Sequence, residues 1–572
     1  MIFRPDILRI RLNAEANAAI RLVALSVLVG TAGALAAQLF LLLLSSAEHF
    51  FLERMAGYIA PRKGHPSEVV GANSRLVIPG LVACGGLLTA LLVRLSPEVA
   101  GGGENAVIHA FHQLGGSVRR RVAVFKALAS AATIGTGGAA GREGPMAQIS
   151  ASVACTISRI FKLSVSERRI LVVAGTAAGI SAMFKSPLGA AFLAVEILYS
   201  RLDIEVDALL YAIIASAVGF AVIGLFGGWG AEFAIPSDLA FRRPQELVWY
   251  ALLGLIAGLV SVIIPVLYYR IERWFASLSI RSELKPAVGG MLLGLLAAAF
   301  PPVLGSGYGW IQQAIDGQLS ILMLLLLCCA KLIAFPLTIG SGGSGGVFAP
   351  VLFSGAMFGS AMALILQSIL ATPPDVGTMT VVGMAAFFAG VGRAPIATLV
   401  LATELTGGHS IIVPTMLAVA LAFSLEPLVA AFFPKVRLSL YGAQVPSRMD
   451  SPTHQQEYLQ LALELVERGG VNVSGPLKLP QLGSLLSLGQ PIPIGEGGDY
   501  VYSATVPADS SAIGKAIRDL PFVDTVLIAS LYRNQEIVHP RGTTELVEGD
   551  TLIMISRPEH LDALEGALVV QR

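Results

Sequence analysis

Apolar positions in this chain gather in long uncharged stretches instead of alternating with polar ones. Residues 22–47, 76–93, 208–231 and 247–269 contain no Asp, Glu, Lys or Arg, and residues 319–330 form a shorter run of the same kind. As helices, stretches of this length cross a hydrocarbon core of roughly 30 Å. The pattern predicts an all-α polytopic membrane protein. Other apolar segments are interrupted by Gly and Pro, as in "GTAAGISAMFKSPLGAAFLAVEIL", "GSGGSGGVFAPVLF" and "FFAGVGRAPIATLVLATELTG". A helix broken at membrane depth frees backbone groups that must be buried in protein or line a wet cavity.

The broken segments repeat. "SPLGAAFLAVEIL" resembles "APIATLVLATELT": each carries a Pro, aliphatic residues and then a glutamate nine places after the Pro, Glu196 and Glu404. Each follows a Gly-rich element that ends in Pro, at Pro145 and Pro350. Interrupted helices in matching places of two halves point to a transport site.

After "SLYGAQVPSRMD" the pattern changes. Charged residues, Gln and Ser return, and no spanning run follows. The predicted division is a cytoplasmic N-terminal segment at 1–20, a transmembrane domain at 21–442, a linker with a helical segment at 443–497 and a small α+β domain at 498–572. Residues 451–470 read as a helix closed by Gly-Gly. The stretch from "VDTVLIASLYR" to "GDTLIMIS" reads as strands and hairpins.

Composition sharpens this picture. Of 572 residues 54% are hydrophobic and 13% charged, with a mean hydropathy of +0.72; soluble domains carry about a quarter charged residues. The net charge of +1 gives no reason to expect a nucleic-acid partner. Cys84, Cys155, Cys328 and Cys329 lack metal-ligand spacing and read as buried free thiols. Arg4, Arg9, Arg11 and Arg21 favour a cytoplasmic N-terminus, and Arg119–Arg121 another inside loop. No cofactor is expected. HExxH and Ser/His or paired-Asp arrangements are missing from the apolar segments, so an enzyme is not expected.

The chemistry sits in three glycine-rich tracts: "AGGGENAV" from Ala100, "GREGP" from Gly141 and "GSGGSGGVFAP" from Gly340. None has the Lys of a phosphate-binding P-loop. Close helix packing by small residues is the plainer reading. It explains less well why two tracts end in Pro, which suits the first turn of a helix. A helix start offers free N–H groups and the positive end of the macrodipole, a ready anion site. Glu143, beside such a site, could take the anion's place and leave on protonation. The alternative is a surface Arg142–Glu143 pair, although adjacent helix residues point about 100° apart.

"GREGP", "GSGGSGGVFAP" and the Tyr441 of "SLYGAQV" resemble the signatures of the CLC chloride channel and transporter family, over about residues 20–445. The resemblance implies a homodimer in a bacterial inner membrane, both termini cytoplasmic. Each subunit would have an anion pathway built from re-entrant helices in inverted repeats. It implies transport of chloride, with or without protons. Glu143 would be the external gate. Gly102, Gly103, Arg142, Gly144, Val347, Phe348 and Tyr441 would contact the anion, and Lys126 would sit near the path as a buried charge. Tyr441 is alternatively an interfacial aromatic, and Lys126 alternatively snorkels toward an inside loop.

The chain departs from the family pattern twice. The first tract commonly reads GSGIP; here Gly102 replaces the serine and Glu104 follows. The lost hydroxyl opens nitrate, bicarbonate or fluoride as alternative substrates, and Glu104 is expected to point away from the path. Proton-coupled members carry a glutamate where Ile197 stands; Glu196 is a weak substitute one place earlier. The C-terminal residues from about 499 to 568, through "IVHPRGTTELVEGDTLIMI", resemble the TrkA-C domain. That likeness implies a small-molecule, nucleotide-like ligand, with a docking or stability role as the alternative. It also suggests a cation transporter, but the TVGYG-type filter of potassium channels is missing.

Overall fold

The computed structural model describes residues 5–61, 68–69, 74–234, 243–425, 437–455 and most of 492–571. The chain divides into two compact units, residues 1–444 and 445–572.

The first unit is helical. In chain order its helices are α1 (Pro5–Glu48), α2 (Ser74–Leu95), α3 (Gly103–Gln113), α4 (Arg121–Gly135), α5 (Glu143–Ile160), α6 (Val165–Phe184), α7 (Pro187–Glu196) and α8 (Val206–Gly227). A second set follows: α9 (Leu247–Ser277), α10 (Lys285–Ala299), α11 (Tyr308–Ile315), α12 (Ile321–Ile339), α13 (Phe348–Ile369), α14 (Val376–Gly392), α15 (Pro395–Thr406) and α16 (Ile412–Ser424). The second set repeats the packing of the first. α2 packs on α4 as α10 does on α12; α3 on α5 as α11 on α13; α6 on α8 as α14 on α16. Even the turns match. α6 ends at Lys185 and α14 at Arg393, both left-handed (φ 53° and 62°), each two residues before the Pro that opens the next helix. Two strands, β1 (Tyr58–Ile59) and β2 (Glu68–Val69), pair antiparallel after α1.

Among the described residues, six helices are long and apolar enough to cross a membrane. Four of the expected runs are among them. The run at 319–330 extends to Ile339, because Lys331 does not end the helix. It is fully buried, and its Nζ donates to the carbonyls of Val303 and Gly305 at 2.9 and 2.5 Å. α13 is the span that the apolar runs did not reveal. It is mostly buried, and its glycine-rich start breaks the run. α1 begins at Pro5, so the polar N-terminal residues belong to the first helix. Cys155 and Cys328 are buried, but Cys84 and Cys329 are exposed, which corrects the expectation of four buried thiols.

The second unit contains β3 (Ile492–Ile494), β4 (Asp499–Thr505), β5 (Leu527–Arg533), β6 (Glu536–Val538), β7 (Thr551–Ser556) and β8 (Val569–Gln571). They form one antiparallel sheet in the order β3-β4-β7-β5-β6, with β8 also on β4. Tyr502, Ala504, Leu531, Leu552 and Met554 fill its core. Arg533 grips the fully buried Asp550 with two bonds of 2.8 Å, which hold the guanidinium above its ordinary pKa range. Of the helix expected over 451–470, residues 452–455 are helical; most of the rest lies outside the described residues.

Candidate functional site

Glycine decides where the three tracts meet. Gly101 N–H donates to the Gly343 carbonyl at 2.9 Å, and Gly345 N–H returns to the Gly101 carbonyl at 3.2 Å. Gly141 and Gly346 exchange both backbone bonds, at 2.8 and 2.7 Å. The starts of α3, α5 and α13 are thereby drawn to one junction. The approach leaves no room for side chains: a Cβ at Gly346 would lie 2.8 Å from the Gly144 nitrogen, and one at Gly103 would strike the Gly144 carbonyl.

These starts differ from others in the fold. α6, α12 and α14 begin with Ser164, Ser320 and Asp375 accepting a first-turn N–H. α3, α5 and α13 have no side-chain cap. First-turn N–H groups and the positive ends of the dipoles both favour a negative acceptor at this junction. The structure brings Gly102, Gly103, Arg142, Gly144, Val347 and Phe348 together here.

Glu143 is the first residue of α5 and is 2% exposed. Its Oε1 accepts from the Tyr308 hydroxyl, and its Oε2 has no partner. The carboxylate folds back over Gly141, beside Ala349 in the first turn of α13. Arg142 reaches the other way, to Glu232 at 2.7 Å, with its guanidinium 4.8 Å from the centre of the Tyr308 ring. The expected absence of an Arg142–Glu143 pair is modified: the two approach to 4.0 Å, at the limit of an ion pair.

Glu104 contradicts the expectation that it points away. It is 4% exposed, and its carboxylate lies among the three tips. A Cβ at Gly102 would be 3.1 Å from Oε2, one at Gly346 would be 3.2 Å from Oε1, and one at Gly144 would collide with the carboxyl group. Three glycines leave space there, and the carboxylate fills it. Lys126, fully buried, donates to the carbonyls of Val99 and Gly101 at 3.1 and 2.8 Å, fixing the loop ahead of α3. It does not snorkel. Lys331 holds Val303 and Gly305 ahead of α11 in the mirrored place.

Tyr441 is buried and sits apart from the tips along an aromatic series. The Phe348 ring lies 4.0 Å from that of Phe388, and Phe388 lies 6.5 Å from Tyr441. Cavities open at both ends. One of about 270 Å³ is lined by Arg142, Glu232, Ser306 and Tyr308. Another of about 270 Å³ is lined by Arg393, Arg437, Ser439 and Tyr441. Each mouth carries arginine.

Glu196 lies elsewhere. Its oxygens accept from Ile396 and Ala397 N–H at 3.1 and 2.7 Å, capping α15. Glu404 returns the arrangement, accepting from Leu188 and Gly189 N–H at 3.2 and 2.8 Å at the start of α7. Both oxygens of Glu196 are engaged in holding the repeat together. Sequence reasoning missed Tyr308 and Glu232. Aligning "VAGGGENAV" with "VLGSGYGWI", each ahead of a buried-lysine helix, was the signal that could have found Tyr308.

Comparison with known proteins places this geometry. Residues 85–426 match the family described as voltage gated chloride channel, and residues 501–568 match the TrkA-C domain. The H(+)/Cl(-) exchange transporter ClcA of Yersinia pestis is 33% identical over 334 residues, 57% of this chain and 69% of that one. A slow cyanobacterial Cl-/H+ antiporter superposes with a TM-score of 0.64 at 22% identity, covering 73% of this chain and 96% of the other. A CLC-type fluoride/proton antiporter gives 0.60 at 20% identity, covering 75% and 98%.

Proposed function

Because the chain belongs to the voltage-gated chloride channel family and ends in a TrkA-C domain, we propose that its helical unit carries a small monovalent anion, chloride first, through the junction of α3, α5 and α13. The uncapped N–H groups would hold the ion with partial charges only, so it is bound and still able to leave. Glu143 is the gate in this reading. One observation carries it: a buried carboxylate with an unpartnered oxygen folded over the junction. Charged, it takes the anion's place; protonated, it gives up the N–H donors and swings aside. Arg142 at one mouth and Arg393 and Arg437 at the other draw anions toward the pathway.

Proton exchange is what the ClcA relative is named for, and we extend it to this chain. Nitrate, bicarbonate and fluoride remain the alternative cargoes, since Gly102 offers no hydroxyl. We place the protein as a homodimer in a bacterial inner membrane with both termini cytoplasmic. The C-terminal domain would regulate transport by binding a small molecule.

The test is anion efflux from proteoliposomes with proton movement recorded together. Glu143→Gln and Glu143→Ala are expected to reduce the pH sensitivity of the flux. Unchanged pH dependence in both variants rejects the gate. Replacing Na⁺ or K⁺ by an impermeant cation is expected to leave the anion flux intact; its loss would favour a cation transporter.

A further inference from the structure

We propose that the Glu104 carboxylate is a second protonatable occupant of the anion seat. The idea rests on the transport reading above and goes beyond it. Glu143 lies over the junction from the side of Tyr308, whereas Glu104 lies within it, between Gly102, Gly144 and Gly346.

Two independent features support this. First, the residues that open these three helices, Gly102, Arg142 and Val347, supply no side-chain acceptor of their own. Second, Oε2 of Glu104 is buried, has no hydrogen-bond partner and is aimed among those starts. A carboxylate and a halide compete for the same donors. The glycine at 102 belongs to the same arrangement: a side chain there would press on Oε2. The lost serine and the gained glutamate are one exchange, a neutral donor removed and an acid installed in its space.

The charged and titratable groups acting on Glu104 come from several elements. Lys126 acts from α4, Glu143 from α5, Tyr268 from α9 and Tyr441 from the segment after α16. Lys126 is the cation among them and favours the charged, seated form. An anion enters the seat when Glu104 takes a proton or turns away. Ile197 leaves the usual proton position apolar, and the pathway instead carries two acids of its own.

The experiment is halide binding to the purified full chain in detergent, by calorimetry with sodium chloride and sodium bromide, from about pH 5 to about pH 9. The variants are Glu143→Ala, Glu143→Ala/Glu104→Gln and Gly102→Ser. With Glu143 removed, affinity is expected to fall by at least about tenfold as pH rises, equivalent to about 1.4 kcal/mol. In the double variant the change is expected to stay within about twofold. Binding independent of pH in Glu143→Ala, or the same pH dependence in the double variant, overturns the proposal. Gly102→Ser covers the case in which the glutamine does not fold. It displaces the carboxylate and is expected to tighten halide binding; unaltered affinity overturns the proposal too. A wild-type chain that neither binds nor moves chloride, bromide, nitrate or fluoride overturns the transport reading itself.

Discussion

Tyr308→Phe isolates the bond that seats Glu143, the proposed gate. The substitution deletes the hydroxyl that donates to Glu143 Oε1 and keeps the ring. The ring's stack on Phe233 at 5.8 Å and its contact with Arg142 at 4.8 Å survive. A hydrogen bond to a charged group contributes about 1.5–3 kcal/mol, and each 1.4 kcal/mol is about tenfold in population. The cavity beside Tyr308 holds about 270 Å³, enough for water to replace part of the lost donor. The expected gain in unseated gate is therefore near the lower bound, about tenfold. In the proposed reading it should appear in alkaline buffer, where a charged Glu143 would close the wild-type pathway. Chloride efflux from proteoliposomes reads it directly, with Glu143→Ala as the reference that lacks this carboxylate. Equal alkaline flux in Tyr308→Phe and wild type, beside a fast Glu143→Ala, refutes the reasoning.

Two further substitutions test the supports. Lys126→Met and Lys331→Met each strip the donor from two carbonyls, and leaving such a group unsatisfied costs about 1–3 kcal/mol. Both should lower the melting temperature in detergent by similar amounts, while only Lys126→Met alters halide affinity, because its charge acts on Glu104; matching affinities would separate Lys126 from the pathway. In the second unit, Arg533→Ala leaves Asp550 buried without its cation. Breaking a buried pair costs about 3–5 kcal/mol, reduced to roughly 2–3 because Arg533 is partly exposed. Trypsin should then digest residues 499–571 faster; unchanged resistance counts against the clamp.

Much of the fold was legible because membranes impose a simple grammar. Uncharged runs marked α1, α2, α8 and α9, and a Pro in the first turn marked α5 and α13. What escaped depended on partners distant in sequence. Lys331 reads as the end of an apolar run until Val303 and Gly305 are seen to accept from it. Glu196 and Glu404 were visible as a repeat, but their exchange of caps joins residues some 200 positions apart. Glu104 was misjudged because a carboxylate among anion donors looks repulsive. The three glycines that make space for it come from three separate tracts, and no local pattern contains that void. Tyr308 opens a short helix that drew no remark, and its importance comes from facing Glu143.

The backbone bridges between Gly101, Gly141 and the 343–346 loop limit how this molecule can work. They rivet the first set of helices to the second, where a rocking carrier would have to part. Separating them means breaking four backbone hydrogen bonds, several kcal/mol at about 1 kcal/mol each before any desolvation penalty. In the proposed transport reading, access would pass from one face to the other by the swing of side chains such as Glu143 inside this frame, and turnover would follow rotamer exchange and proton arrival.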